Sequence, residues 1–140
     1  HMHGELLKVR CVRTGKVCAW SDDVTAVDRC SCCQPKAVLR PHIVWFGEEP
    51  LQMAAIYEAL AQADLFVAIG TSGHVYPAAG FVAEARHGGA RTLEFHLEAS
   101  QQRSHFEQAI YGAAGETLPL WVDQLLADPA QWQSVFGRHT

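Results

Sequence analysis

The sequence predicts an α/β fold, a partial doubly wound parallel sheet with a small cysteine-rich module inserted near its start. Three observations lead there. All five cysteines fall between residues 11 and 33. From residue 43 onward, short apolar runs alternate with stretches of helical periodicity. The clearest apolar run, Leu65-Phe66-Val67-Ala68-Ile69, passes directly into Gly70-Thr71-Ser72-Gly73, at the strand-to-helix turn where such sheets hold ligands.

Taken in order, residues 6–40 hold every cysteine and most of the basic residues, with little helical periodicity. A loop-rich module held by a metal rather than by an apolar core suits that composition. Its boundary falls at Arg40-Pro41, where proline forces the preceding residue to extend. Ile43–Phe46 is a short apolar run, expected as a buried strand. Pro50 suits a first helical turn, and Met53, Ile56, Tyr57 and Leu60 follow at helical spacing. Leu65–Ile69 is apolar on both faces, as a central parallel strand requires. Ala78–His87 forms a helix burying Phe81, Val82 and Ala85, closed by Gly88-Gly89. Thr92–Leu97 is the next strand. Ser104-His105-Phe106-Glu107 has the form of a capping box, with Phe106 and Ile110 one turn apart. Leu118, Val122, Leu125 and Leu126 give a last amphipathic helix. Residues 128–140 are a tail in which Trp132 and Phe136 have the spacing to dock. The strand–helix–strand unit from 65 to 97 makes its two strands parallel neighbours. Half a doubly wound sheet leaves an open edge, so self-association or a missing partner segment is expected.

A length of 140 residues fits one domain, or one domain with a small insert. Hydrophobic residues at 49% and charged residues at 19% are ordinary for a globular core. The net charge of -4 excludes nucleic-acid binding by bulk electrostatics. No apolar run approaches the ~18–20 residues of a membrane span, and the N-terminus lacks a signal pattern. A cytoplasmic address is expected, where cysteines serve as metal ligands or free thiols rather than disulfides. The chain opens on His1-Met2, which suggests a processed, cloned or truncated chain.

Zinc prefers four soft or borderline ligands in a tetrahedron, commonly from two close pairs. Cys30 and Cys33 make a C-x-x-C pair, with Cys32 as a competitor. The first pair is irregular. Three residues after Cys11 stands Thr14, and Cys18 lies farther on. The expected ligands are Cys11 and Cys30, then Cys33, then Cys18, and the alternative is a cluster of thiols without metal. With thiolates filling the sphere, such a zinc is structural. Gly70-Thr71-Ser72-Gly73 offers close backbone approach and hydroxyl donors, and both a nucleotide loop and a tight turn remain open. His96-Leu97-Glu98 ends the next strand, where a polar side chain meets a ribose or is a plain surface charge. His3 is by itself a solvated terminal histidine, although imidazoles suit general-base work near neutrality. Trp45 and Phe46 are either core or an aromatic wall. His42, His74, His87, His105 and His139 have no metal-site spacing.

The order of these segments resembles the later part of the catalytic domain of bacterial sirtuins, NAD-dependent protein-lysine deacylases. His3-Gly4 stands just before the cysteine module, Val44-Trp45-Phe46-Gly47-Glu48 follows it, and the Gly70-Thr71-Ser72 loop comes next. The resemblance runs from His1 to about Ala127. It implies a Rossmann-like sheet (residues 1–5 and 41–127) carrying an inserted zinc ribbon (6–40), with NAD and zinc as cofactors. It makes His3 the base, deprotonating a ribose hydroxyl after the acyl-amide oxygen has displaced nicotinamide, and the products are free lysine and O-acyl-ADP-ribose. It places NAD against Gly70, Thr71, Ser72, His96, Leu97, Glu98 and Ala114. Asparagine is usual where His96 stands, which puts that contact in doubt. Val44, Trp45, Phe46 and Gly47, with Gly73, Val75 and Tyr76, are implied to sandwich acyl-lysine proteins or peptides by strand addition. The family's first glycine-rich phosphate loop, its Gln-Asn segment and its Tyr/Arg pair for acidic acyl groups are not in this sequence. The wording is closest to members with that pair, which opens desuccinylation to a complete parent. The isolated chain is expected to turn over little or nothing, because half of the positioning groups are outside it. The alternatives are a non-enzymatic zinc-ribbon interaction module on a nucleotide-binding scaffold, and a different Rossmann-type transferase.

Overall fold

The computed structural model describes residues 1–98 and 105–128. Ser104 of the expected capping box and the tail beyond Asp128, with Trp132, Phe136 and His139, lie outside the described residues. The chain divides into two compact units, His1–Met53 and Ala54–Thr140.

The first unit is built on an antiparallel sheet of β1 (Gly4–Cys11), β2 (Val17–Ala19) and β3 (Leu39–Ile43), in the order β2-β1-β3. Period-2 alternation sends Val9 and Cys11 of β1 inward, where they meet Cys30, Ala37 and Leu39. Trp20 and Val24 pack against this cluster. The module therefore has a small apolar core of its own, beyond what its cysteines alone suggested. β3 contains Pro41, which an edge strand tolerates because, among the described residues, no strand pairs with its other side.

The strand expected at Ile43–Phe46 is displaced. β3 ends at Ile43, Trp45 is half-exposed and Phe46 fully exposed. The cause is local. The Glu48 carboxylate accepts the Trp45 N–H at 3.0 Å, and Gly47 takes a φ of 87°, so the chain turns instead of extending. Pro50 also falls short of a helical turn. α1 spans Met53–Gln62 and is separated from Pro50 by Gln52, whose φ of 59° is left-handed.

The second unit holds a parallel sheet of β4 (Leu65–Ile69), β5 (Arg91–His96) and β6 (Gln108–Tyr111), in the order β4-β5-β6. The connection from β4 to β5 runs through a 3-10 turn, Ala78–Gly80, and α2 (Phe81–His87), so the expected strand–helix–strand unit is present with parallel pairing. Phe81, Val82 and Ala85 are its buried residues, as the periodicity predicted. β5 rather than β4 is the central strand among the described residues. Of β4 only Ala68 is buried, and Ile69 is half-exposed, so its apolar run marks a strand without marking a central place in the sheet. α3 (Ala114–Ala127) closes the unit, with Trp121 packed edge-on against Phe95 at 5.6 Å between ring centroids.

The segment expected to start a helix at 104–107 instead leads into β6. Glu107 N–H donates to Thr92 Oγ1 at 3.0 Å, and its carboxylate receives the Thr92 N–H at 3.4 Å. Phe106 stacks on Phe66 of β4. These cross-strand partners outcompete a local helix start. Phe95 is 1% exposed at the centre of the sheet. Phe95→Ala is expected to cost about 3–5 kcal/mol, as large aromatic core truncations do; denaturant unfolding checks it, and an unchanged midpoint would contradict this packing.

Candidate functional site

His3 sits immediately before β1, exposed, in a turn closed by Gly4 N–H to His1 O at 2.9 Å. Its own carbonyl accepts the Val44 N–H at 2.9 Å, and Met2 O accepts the Leu51 N–H at 2.8 Å. The His3 segment and the Val44–Gly47 segment are therefore tied by main chain. Gly4 makes the tie possible. It has a φ of 85°, and a Cβ at this position would lie 1.9 Å from the His42 carbonyl oxygen. A bulge in the β1–β3 pairing falls between Gly4 and Val9.

The turn after β3 is held by charge. Both carboxylate oxygens of Glu48 are engaged by the Arg40 guanidinium, and Arg10 Nη2 approaches at 3.2 Å. Arg40 also lies over the Trp45 ring, 3.9 Å from its centroid. Arg40, then the Trp45 N–H, hold the Glu48 carboxyl down to about 2 from an ordinary 4.5.

At the far end of β1 four thiols converge. Cys11, Cys30, Cys32 and Cys33 place their sulfurs within 4.8 Å of one another, the first two buried and the others half-buried. Sulfur separations of 3.3 Å for Cys30–Cys33 and 3.9 Å for Cys11–Cys33 are close to the roughly 3.8 Å edge of a zinc–thiolate tetrahedron. Ala37 N–H donates to Cys30 Sγ at 3.3 Å. The Thr14 hydroxyl, then its N–H, bring the Cys11 thiol down to about 6, whereas the hydrogen bond with Cys30 and burial push Cys33 up to about 11. The four sulfurs cannot all carry charge at this range without a cation between them, so the donor set fits zinc. Cys18 is exposed on β2 and outside this group, while Cys32 is inside it.

In the second unit, the parallel register sets the carboxyl ends of β4, β5 and β6 side by side, with Ile69 opposite Phe95 and His96 opposite Tyr111. Gly70, Thr71, Ser72 and Gly73 are all exposed there. Gly70 and Gly73 have φ of 61° and 65°, and Gly73 N–H donates to Thr71 Oγ1 at 3.3 Å. The loop is thus an open cradle of backbone and hydroxyl groups. Beside it, His96 Nδ1 lies 2.9 Å from the Glu98 carbonyl, and His96 O accepts the Gly112 N–H at 2.9 Å. Leu97 and Glu98 are exposed, and Ala114 opens α3 at the same edge. Val75 and Tyr76 are exposed just beyond the cradle.

Residues 1–77, more than half of the sequence, match the model of the Sir2 family. The chain belongs to the Sir2 family. It is 60% identical over 126 residues to the NAD-dependent protein deacylase of Salmonella typhimurium, covering 90% of this chain and 46% of that protein. The corresponding protein of Pasteurella multocida is 57% identical, with 90% and 54% covered. The chain spans about half the length of the curated relatives it matches. Among solved structures, a mutant Sir2 homologue in complex with ADP ribose superposes with a TM-score of 0.80 at 25% identity, covering 93% of this chain and 53% of that one. A Sir2 homologue–NAD complex gives 0.76 at 25% identity, with 91% and 50% covered.

Sequence reasoning missed the Arg10–Arg40–Glu48 clamp and the place of Thr14. The basic residues were visible but carried no spacing signal, and Thr14 was seen only as a gap in a cysteine pair.

Two outcomes follow from the first unit. Gly4→Ala must both strain the backbone and push against the His42 carbonyl, so it is expected to destabilise by about 2 kcal/mol or more, measured by denaturant unfolding. Because Glu48 has a lowered folded pKa, its stabilisation is present above about 4.5 and is lost as pH falls toward about 2. Stability measured across that window should fall less steeply in Glu48→Gln than in the unaltered chain; parallel curves would refute the clamp.

Proposed function

We propose that this chain is the later part of an NAD-dependent protein-lysine deacylase. The observation that carries this is 60% identity over 90% of the chain to relatives named for that activity. The exposed Gly70–Gly73 cradle beside the ends of β5 and β6 supports it.

NAD, when bound, supplies an electrophilic ribose carbon with nicotinamide as its leaving group. The residues of this chain do the rest. Thr71 and Ser72 offer N–H and O–H donors to the nucleotide, Gly70, whose own N–H is taken by the Phe95 carbonyl, allows close backbone approach, and His96, Leu97, Glu98 and Ala114 line the neighbouring strand ends. His3 takes the proton from a ribose hydroxyl, and its exposure leaves the imidazole free to do so. In the first unit Val44–Gly47 pair with an acylated peptide by strand addition, with Trp45 and Phe46 against the lysine stem, and in the second unit Gly73, Val75 and Tyr76 are the residues offered to peptide. The Arg40–Glu48 clamp fixes the turn that presents Trp45. A zinc held by the cysteine group braces residues 6–40 as a separate module, with residues 1–5 and 41–127 forming the NAD-binding part.

The test combines the 140-residue chain with the earlier half of the catalytic domain supplied in trans, and measures nicotinamide release from NAD with an acetylated or succinylated peptide. The expected result is nicotinamide release with the unaltered chain, and formation of deacylated peptide and O-acyl-ADP-ribose that His3→Ala lowers by at least ~100-fold, the usual scale of general-base catalysis. Zinc binding without NAD binding or nicotinamide release would replace this proposal with a zinc-ribbon interaction module.

A further inference from the structure

We propose that Thr14 is a positioning residue of the metal centre, its hydroxyl holding Cys32 in the ligand place that residue 14 would itself fill in a regularly spaced pair. This rests on the zinc assignment of the four thiols above.

Cys11 and Thr14 have the spacing of a C-x-x-C turn, and the turn itself is intact. Cys11 N–H donates to Lys16 O at 2.9 Å, Gly15 N–H donates to Cys11 O at 2.9 Å, and Gly15 takes a φ of 71°. Only the sulfur is missing from the last position. Thr14 Oγ1 lies 3.1 Å from Cys32 Sγ. The Lys16 N–H donates to the same hydroxyl oxygen at 3.2 Å. With that oxygen already accepting, its one proton is turned toward the sulfurs, where Cys32 stands at hydrogen-bond distance and Cys11 competes for it, and a metal-bound thiolate can only accept. The direction of the bond is thereby fixed as Thr14 O–H to Cys32 S. Arg13 Nη1 donates to Pro35 O at 2.8 Å, joining the two ligand loops beside this contact. Cys32 stands between the paired Cys30 and Cys33, so a third ligand from one short loop needs a partner on the opposite loop, and Thr14 is that partner. Partners of this kind orient the ligand and tune its donor strength.

The test uses the full 140-residue chain, with zinc affinity measured by competition against a chromophoric chelator and cobalt(II) absorption reporting the thiolate set. Thr14→Val is expected to weaken zinc by ~10–100-fold and to shift the sulfur-to-cobalt charge-transfer band. Thr14→Ser, which keeps the hydroxyl, should bind as the unaltered chain does, and so should Cys18→Ser. Cys32→Ser should lose the four-thiolate spectrum, and adding Thr14→Cys to it should restore that spectrum, since the two side chains would exchange roles. Unchanged affinity and spectrum in Thr14→Val would overturn the inference while leaving the zinc assignment standing, whereas a four-thiolate spectrum surviving in Cys32→Ser would overturn the inference and the four-thiol assignment together. Failure of the unaltered chain to bind either metal would overturn both.

Discussion

The first unit depends on one close approach, the backbone of Gly4 against the carbonyl of His42. No side chain fits between them. Through that contact β1 and β3 stay paired past the bulge, and the two segments with aromatic or basic side chains, His3 and Val44–Gly47, are held by a main-chain hydrogen bond. The same strand ends at Cys11, a buried thiol of the sulfur cluster. One eight-residue strand thus sets the position of an imidazole at one end and of a metal ligand at the other.

The two charged clusters of this unit solve opposite problems. Around Glu48 there are two guanidinium groups for one carboxylate, and the surplus positive charge is accommodated by the face of Trp45 over Arg40. Around Cys11 there is a surplus of groups that become negative. Burial raises the cost of ionising Cys30, which its hydrogen bonds outweigh. For Cys32 the Thr14 hydroxyl favours the thiolate, but burial and the neighbouring thiols win and hold its pKa up. The first cluster is complete within the protein, whereas the second calls for an external cation.

Much of this was legible in the sequence, and the failures share a cause. Phe81, Val82 and Ala85 were readable because one helix face repeats at a fixed period. The Leu65–Ile69 strand and its loop were readable because an apolar run and a glycine turn are both local signals. Ile43–Phe46 misled because an apolar run does not say which of its residues meets solvent, and the turn there is made by Glu48. The 104–107 segment misled because its capping pattern is local, whereas its partners, Thr92 and Phe66, come from strands distant in sequence. Cys32 rather than Cys18 joins the sulfur cluster for the same reason. Spacing ranks ligands within a loop, but only the pairing of β1 with β2 shows that Cys18 stands opposite Val9, away from the other thiols.

The length of β1 has a consequence for how a metal could matter to His3. Seven steps of extended chain separate Gly4 from Cys11, roughly 23 Å at about 3.3 Å per residue. That is well beyond the screening distance of about 8 Å for exposed charges at physiological ionic strength. An ion among the sulfurs is therefore electrically remote from the imidazole. Its influence there is that of an anchor on a beam, passed along the strand as stiffness.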